Sequence, residues 1–315
     1  MRYLHDYTEG ERLIAFCLIK SREVAVASNQ REYMNLEVGD RSGSLQAKLW
    51  DVTEELKAML QVKSIVKVDA LVQSYKGKKQ LVIQRVRLAV PDDQVAMETL
   101  IPASERSFEE LWERLQSYIG AIKSGTLRAI VQHILAYDTC AERLRCYPAG
   151  VKMHHNYYHG LLEHIVSLLT LAEQLIPLYP QIEQDVLYAT CILHDIGKLD
   201  ELSDPLAPDY TTPGQLIGHL VMGVERLNEA CRQLSISAEE SEVLHLKHCI
   251  LSHHGDVENG WGSAVSGKTP TAVLFHYLDQ IDSKMNALQQ VINGAQDEEE
   301  WVYAPALRRR VWRGY

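Results

Sequence analysis

The run His194-Asp195-Ile196-Gly197-Lys198 brings an imidazole, a carboxylate and an ammonium together in one short segment. An adjacent imidazole and carboxylate bind one divalent ion between them. A carboxylate has two oxygens, so Asp195 also has the means to bridge to a second ion. Lys198 follows just past a glycine, spaced to reach a bound phosphate. A metal, a bridge and an anion contact in one run point to metal-assisted phosphoester hydrolysis.

The other histidines support this reading. Eleven of the 13 lie between His154 and His276. His164 follows Leu161 by three and precedes Leu168 by four, so it shares their apolar helical face. His194 follows Leu187 by seven and Cys191 by three. His219 lies early in its helix, His253 and His254 end theirs beside Gly255, and Asp279 follows Phe275 by four. Inward-facing His and Asp side chains from several helices are how metal sites in bundles are built. A shared ion also gives each buried polar group a partner. A single buried histidine is more often a satisfied core residue; the adjacency of His194 and Asp195, and then Gly197-Lys198, favours a metal. His154, His155, His159, His245, His248 and His276 are left as structural or supporting groups. Asp282, three residues after Asp279, is the rival carboxylate.

The elements that must position these groups begin near residue 107. Ser107 with Glu110 is a capping-box start. Helices are expected over Leu161–Leu175, over Asp185–Ile196 with Gly197 as a left-handed cap, over Leu216–Leu234, and over Glu239–Ser252. The last long helix starts at Thr269-Pro270 and runs to about Ile292. Residues 11–90 read instead as β structure. There is an apolar stretch Arg12–Ala27 with a charged break at Lys20-Ser21-Arg22-Glu23, then strands Glu32–Val38 and Leu45–Trp50. A short helix Thr53–Leu60 precedes a strand pair, Ser64–Tyr75 and Lys79–Leu88, around Gly77. Five strands with a helix between the third and fourth is the order of an OB-fold barrel. The expected organisation is an N-terminal all-β OB-fold domain over residues 1–90, a linker over 91–106, an all-α domain over 107–296, and a charged C-terminal tail over 297–315.

Composition sets the class. The chain has 315 residues and a net charge of −10, enough length for two domains. Residues 1–90 carry 15 Lys+Arg against 11 Asp+Glu, and the remainder 17 against 31. The basic excess sits in the barrel region, which suggests separate tasks for the two halves. No apolar run reaches the ~18 residues of a membrane span, and the N-terminus shows no apolar signal core, so a soluble cytoplasmic protein is expected. Six scattered cysteines without a Cys-x-x-Cys pair read as reduced thiols. Tyr75-Lys76-Gly77-Lys78-Lys79 marks the tip of the last strand pair, where OB-folds border their nucleic-acid groove. Tyr75 has a face to stack on a base, and Lys76, Lys78 and Lys79 attract phosphate. Tyr33, Trp50, Arg85 and Arg87 are candidates to extend that surface. Arg308-Arg309-Arg310 is read as a soluble tail rather than a second basic contact.

The series His164, His194-Asp195, Asp279 resembles the H…HD…D signature of the HD phosphohydrolase superfamily. Gly218-His219 and His253-His254 resemble the added ligands of its binuclear members. That resemblance implies one ion held by His164, His194, Asp195 and Asp279. It implies another held by Asp195, His219, His253 and His254, with Lys198 on the scissile phosphate. From about Glu9 to Leu288 the chain is similar to the YhaM-type 3′→5′ exoribonucleases, which join an OB-fold to an HD domain. Matching stretches include Ala47-Lys48-Leu49-Trp50-Asp51, Gly160–His164, Leu193–Lys198, Leu251–Gly255 and Leu278–Lys284. His159 departs from the pattern, which has a second glycine there; its side chain is expected to narrow the entrance or add a ligand. The function implied is hydrolysis of single-stranded RNA from the 3′ end to nucleoside 5′-monophosphates by metal-activated water. DNA is kept as an alternative substrate. Mixed N/O ligands suit Mn²⁺, Fe²⁺, Co²⁺ or Zn²⁺ rather than Mg²⁺ alone, and Mn²⁺ is expected to support activity. A homo-oligomer is compatible with the sequence. The rival readings are an HD phosphohydrolase of small or cyclic nucleotides, and a non-catalytic OB-fold nucleic-acid-binding protein.

Overall fold

A computed structural model describes residues 2–27, 30–75, 77–137, 139–151, 154–206, 208–260, 262–294 and 299–314. It divides into two compact units, Met1–Ala103 and Ser104–Tyr315. Lys76, and Asp297 and Glu298 of the acidic run, lie outside the described residues.

The first unit is a closed barrel of β1 (Arg12–Val26), β2 (Glu32–Asp40), β3 (Gly43–Trp50), β4 (Ile65–Tyr75) and β5 (Lys78–Leu88), in the order β1-β2-β3-β5-β4. Helix α1 (Glu54–Met59) lies between β3 and β4, with the Thr53 hydroxyl accepting from the Leu56 amide at its start. The charged break expected near Lys20 is not a gap between strands. β1 continues through it as one long strand whose register shifts between Ile19 and Ser21. Its first half pairs with β4 and its second with β2. A bulge at that point lets one strand turn from one neighbour to the other, which closes the barrel. A second shift, at Asp69/Ala70, bends β4 against β5. Alternate residues point inward, and Leu13, Cys17, Ile19, Met34, Leu36, Val68, Val72 and Leu81 fill the interior. The stretch expected as a linker forms two 3₁₀ turns, Pro91–Asp93 and Met97–Thr99, followed by buried Leu100 and Ile101.

The second unit is helical: α2 (Phe108–Ala121), α3 (Gly125–Ala136), α4 (Cys140–Cys146), α5 (Gly160–Leu175), α6 (Gln184–Leu193), α7 (Lys198–Glu201), α8 (Thr212–Ile217), α9 (His219–Leu234), α10 (Ser241–Ser252) and α11 (Pro270–Gly294). Helix α5 is central, packing against α2, α6 and α11. With its 3₁₀ extension to Leu178 it is long and apolar enough to cross a membrane by length and composition, contrary to the sequence-based expectation. Its apolar residues, among them Leu161, Leu162, Ile165, Leu168 and Leu169, are the middle of the helical core. Two helices differ from expectation. The segment 216–234 is not continuous: Gly218, at φ +80°, breaks it and leaves His219 as the first residue of α9. Gly197 is not a left-handed cap; its φ is −63°. Where a charged tail was expected, β6 (Trp301–Ala304) and β7 (Arg309–Trp312) form an antiparallel hairpin around a 3₁₀ turn, Pro305–Leu307.

Candidate metal centre and barrel face

Five helical segments deliver the cluster. His164 projects from α5. His194 and Asp195 follow the end of α6, His219 opens α9, His253 and His254 follow α10, and Asp279 lies within α11. His164, His194, Asp195, His253 and Asp279 are all buried. Gly197 makes this convergence possible. A Cβ there would stand 2.2 Å from the His219 carbonyl oxygen and 2.8 Å from the Gly223 nitrogen. Only a glycine lets the segment after Asp195 press against the start of α9 and set His219 beside the carboxylate.

Asp195 is the centre. Its Oδ2 lies 3.3 Å from His194 Nε2 and 3.9 Å from His164 Nε2. His164 Nε2 is in turn 3.2 Å from His194 Nε2 and 3.3 Å from Asp279 Oδ1. On the other side, Asp195 Oδ1 lies 3.4 Å from His219 Nε2 and 3.8 Å from His253 Nε2. Donor atoms of His219, His253 and His254 fall within 4.8 Å of one another. Ligands ~2.1 Å from a shared ion stand ~3–3.5 Å apart; four of these six distances, 3.2, 3.3, 3.3 and 3.4 Å, have that spacing, and the other two, 3.8 and 3.9 Å, are longer.

The hydrogen bonding supports an ion as well. Among the described residues, Asp195 Oδ1, His219 Nε2, His254 Nδ1 and His154 Nε2 are buried without a hydrogen-bond partner. Each such orphan costs about 1–3 kcal/mol, and a divalent cation satisfies acceptor atoms of this type together. The distal ring nitrogens are fixed by the protein. His194 Nδ1 faces the Cys191 carbonyl at 3.2 Å and His253 Nδ1 the Ile250 carbonyl at 2.8 Å. His219 Nδ1 meets Glu201 Oε1 at 3.0 Å, and the same oxygen accepts the His219 backbone amide. Such outer partners orient ligating imidazoles.

Asp279 and Asp282 face opposite edges of His164. Asp279 is on the Nε2 edge with His194, whereas Asp282 Oδ2 meets Nδ1 at 2.7 Å and also meets His155 Nε2 at 2.8 Å. Taken with protein groups alone, burial lowers the His164 pKa, but hydrogen bonds to Asp279 and Asp282 outweigh it and hold the ring up at about 10. Burial with a repelling neighbour, His219, takes His254 down to about 4, and burial with His164 takes His154 down to about 3. Burial works against ionised Asp195 too, yet the His194, Lys198 and His219 side chains keep it well below the usual carboxylate range.

Lys198 Nζ donates to Asp195 Oδ2 and to the Ala149 carbonyl, both at 2.6 Å. An ammonium has three protons, so one remains for an anion. Among the described residues, His159 is not part of the clustered ligand groups. It sits at φ +67°, in the left-handed region that favours glycine, with its ring on Tyr158 and Nδ1 donating to the Arg145 carbonyl. Sequence reasoning missed His154, whose donor lies with those of His164 and Asp279, and Glu201. His154 precedes α5 in a turn, where no periodicity flags it.

On the barrel, Tyr75, Lys78 and Lys79 line one groove with His5, Glu37 and Gln46. Tyr75 and Trp50 are 60% and 44% exposed. The Tyr33 and Trp50 rings lie 5.0 Å apart, and Lys48 Nζ stands 4.5 Å and 4.9 Å from their centres. Tyr33, Glu37, Gln46, Lys48 and Trp50 share the outward face of β2–β3, as their even spacing requires. Trp50 therefore lies about 13 Å along the strand from Gln46 and the lysine groove. Lys48 was not singled out from sequence, although it stands two residues before Trp50. Arg85 and Arg87 do not extend this surface. They line a different groove with Ile14 and Lys67, and Arg87 is bound by both oxygens of Asp93.

Comparison with known proteins agrees with both units. Residues 18–89 match the family of OB-fold nucleic acid binding domains, and residues 161–284 match the HD domain family. Together with the His/Asp groups, the HD match identifies a divalent-metal site. Two solved structures align with about the barrel's length of chain. One is a domain of replication protein A from Methanococcus maripaludis, 14% identical, covering 28% of this chain and 92% of that one with a TM-score of 0.25. The other is a replication factor A related protein from Methanobacterium thermoautotrophicum, 18% identical, covering 29% and 92% with a TM-score of 0.23. The whole chain is similar to the 3′-5′ exoribonuclease YhaM of a Geobacillus strain, 37% identical over 95% of this chain and 91% of that protein. A relative that similar over both units shows that the chain belongs to the YhaM family of 3′-5′ exoribonucleases.

Proposed function

We propose that this protein is a divalent-metal-dependent 3′→5′ exoribonuclease that binds single-stranded RNA on its barrel and hydrolyses it at the His/Asp cluster. The observation that carries the reading is Asp195, whose two oxygens face two separate groups of ligand atoms. His164, His194, Asp195 and Asp279 would hold one ion, and Asp195, His219, His253 and His254 the other. His154 stands close enough to His164 and Asp279 to join the first group. A metal held there would supply Lewis acidity and activate water for attack on a phosphodiester. Mixed imidazole and carboxylate donors suit Mn²⁺, Fe²⁺, Co²⁺ or Zn²⁺ rather than Mg²⁺ alone, and Mn²⁺ is the ion expected to support activity.

The chain's own residues complete the chemistry. Asp195 stays ionised at neutral pH because Lys198 and the imidazoles surround it. Lys198 steadies that carboxylate and turns its third proton toward the scissile phosphate, where negative charge grows during attack. Asp282 and Glu201 fix the rings of His164 and His219, so no reorientation is needed in the transition state. On the barrel, Tyr33, Trp50 and Tyr75 offer stacking faces, and Lys48, Lys78 and Lys79 offer phosphate contacts without sequence selection. OB-folds use the face of strands two and three in this way.

Product analysis tests the proposal. Incubated with Mn²⁺, single-stranded RNA with a free 3′ hydroxyl yields nucleoside 5′-monophosphates, while a circular RNA of the same sequence persists. Release of internal fragments from the circle would instead mean an endonuclease.

A further inference from the structure

The C-terminal hairpin lies beside the metal-ligand cluster. Strand β6 and the turn after it pack on α11, the helix that carries Asp279. An open cleft of about 630 Å³ runs between them, lined on its inner side by His154, His254 and Asp279 and on its rim by Lys284, Arg308 and Arg309. We propose that Arg308 and Arg309 are substrate-binding residues that hold the phosphate backbone of the RNA strand as its 3′ end enters the cluster; this rests on the exoribonuclease reading.

Four observations support it. Val302 and Ala304 are the buried residues of β6, and Arg309 is paired with Ala304 across the hairpin, which places it on the cleft side. Arg308 has φ +50°, a left-handed conformation that disfavours any residue with a Cβ. Glycine would relax that turn, so the position bears a charged side chain against local preference. The surroundings are acidic, with 31 Asp+Glu against 17 Lys+Arg over residues 91–315. A polyanion approaching this half needs cations at the point of entry, and the rim supplies them. The opposite face of the hairpin, where Trp301 pairs with Trp312 and Tyr303 with Arg310, is about half exposed. Exposed rings beside an arginine suit a single strand, whose bases stack without sequence preference; a second copy of the chain is the competing occupant.

The test compares wild type with the double variants R308A/R309A and R308K/R309K, using a 20-nucleotide RNA and bis(p-nitrophenyl) phosphate, both with Mn²⁺. The alanine variant is expected to raise KM for RNA about tenfold with little change in kcat. It should also flatten the dependence of log KM on log salt by ~0.7 for each lost phosphate contact. Hydrolysis of the small diester is expected to be unchanged, and the lysine variant to recover most of the RNA affinity. Unchanged KM and salt slope for RNA would overturn the proposal. So would an equal loss on both substrates, or a smaller mass by light scattering with RNA affinity intact, which would assign the hairpin to self-association. Failure of the wild type to shorten RNA would overturn the exoribonuclease reading itself, and is told apart by arising without any variant.

Discussion

Asp282 Oδ2 lies 2.7 Å from His164 Nδ1, on the ring edge opposite Asp279 and His194. The carboxylate therefore sets the tautomer and direction of a ligand without being one. Replacing Asp282 by Asn removes the charge and keeps the shape. Losses of about 10–100-fold in metal affinity or activity are typical for such partners, and that range is expected here. Titration calorimetry with Mn²⁺ measures it, with circular dichroism as the check on folding. An unaltered affinity would assign Asp282 to the His155 network alone.

Gly197→Ala places a methyl group against the His219 backbone, at 2.2 Å from its carbonyl oxygen. Backbone cannot move aside as a side chain can, so α9 must shift. Overpacking of this kind costs about 1–3 kcal/mol, and the shift also separates His219 from Asp195. Calorimetric melting is expected to show a lower Tm, and Mn²⁺-dependent hydrolysis a loss beyond what the lower Tm explains. A variant as stable as wild type would mean that the segment is free to relax.

Trp50→Ala removes a stacking face next to Tyr33 and Lys48. Base stacking on an aromatic contributes about 1–3 kcal/mol, which corresponds to a rise of roughly 5–150-fold in KM for long RNA. Hydrolysis of a dinucleotide, which offers no length of strand to grip, should be unchanged. Equal losses on both substrates would contradict the use of the barrel as a grip.

In EDTA, the histidine cluster makes stability depend on pH in both directions. His254 and His154, lowered to about 4 and about 3 from the usual 6.5, add stability that is present above 6.5 and is lost as pH falls below it, because the unfolded rings take up protons first. His164, raised to about 10, adds stability that is present below 6.5 and is lost as pH rises toward 10. The Tm in EDTA is thus expected to peak near pH 6.5. Melting curves at pH 5, 6.5 and 9 test this, and a Tm that climbs steadily to pH 9 would show that Asp279 and Asp282 do not hold the His164 proton.

Much of this was legible in the chain. Barrel strands alternate visibly because one face is buried, and His164, His194 and Asp279 declare their inward direction by helical spacing from leucines and a phenylalanine. The missed features lie where periodicity gives no signal. His154 is in a turn, and Glu201 ends a helix of one turn. Gly218 breaks a pattern that runs apolar on both sides of it, so 216–234 reads as one helix. Gly197 looks like a cap because the sequence shows a glycine after a helix but not the α9 backbone pressed against it. Arg308 and Arg309 look like a tail because strands of four residues are too short to show alternation, and only the packing of the hairpin on α11 brings it to the cluster.

The most direct test of the account is a gel assay on 5′-labelled single-stranded RNA with Mn²⁺, set beside EDTA and Asp195→Ala, the change that removes both carboxylate oxygens from the cluster. The account predicts a ladder that shortens from the 3′ end with the native protein and intact RNA in both controls. RNA left intact by the native protein in Mn²⁺, or shortened equally by Asp195→Ala, would contradict it.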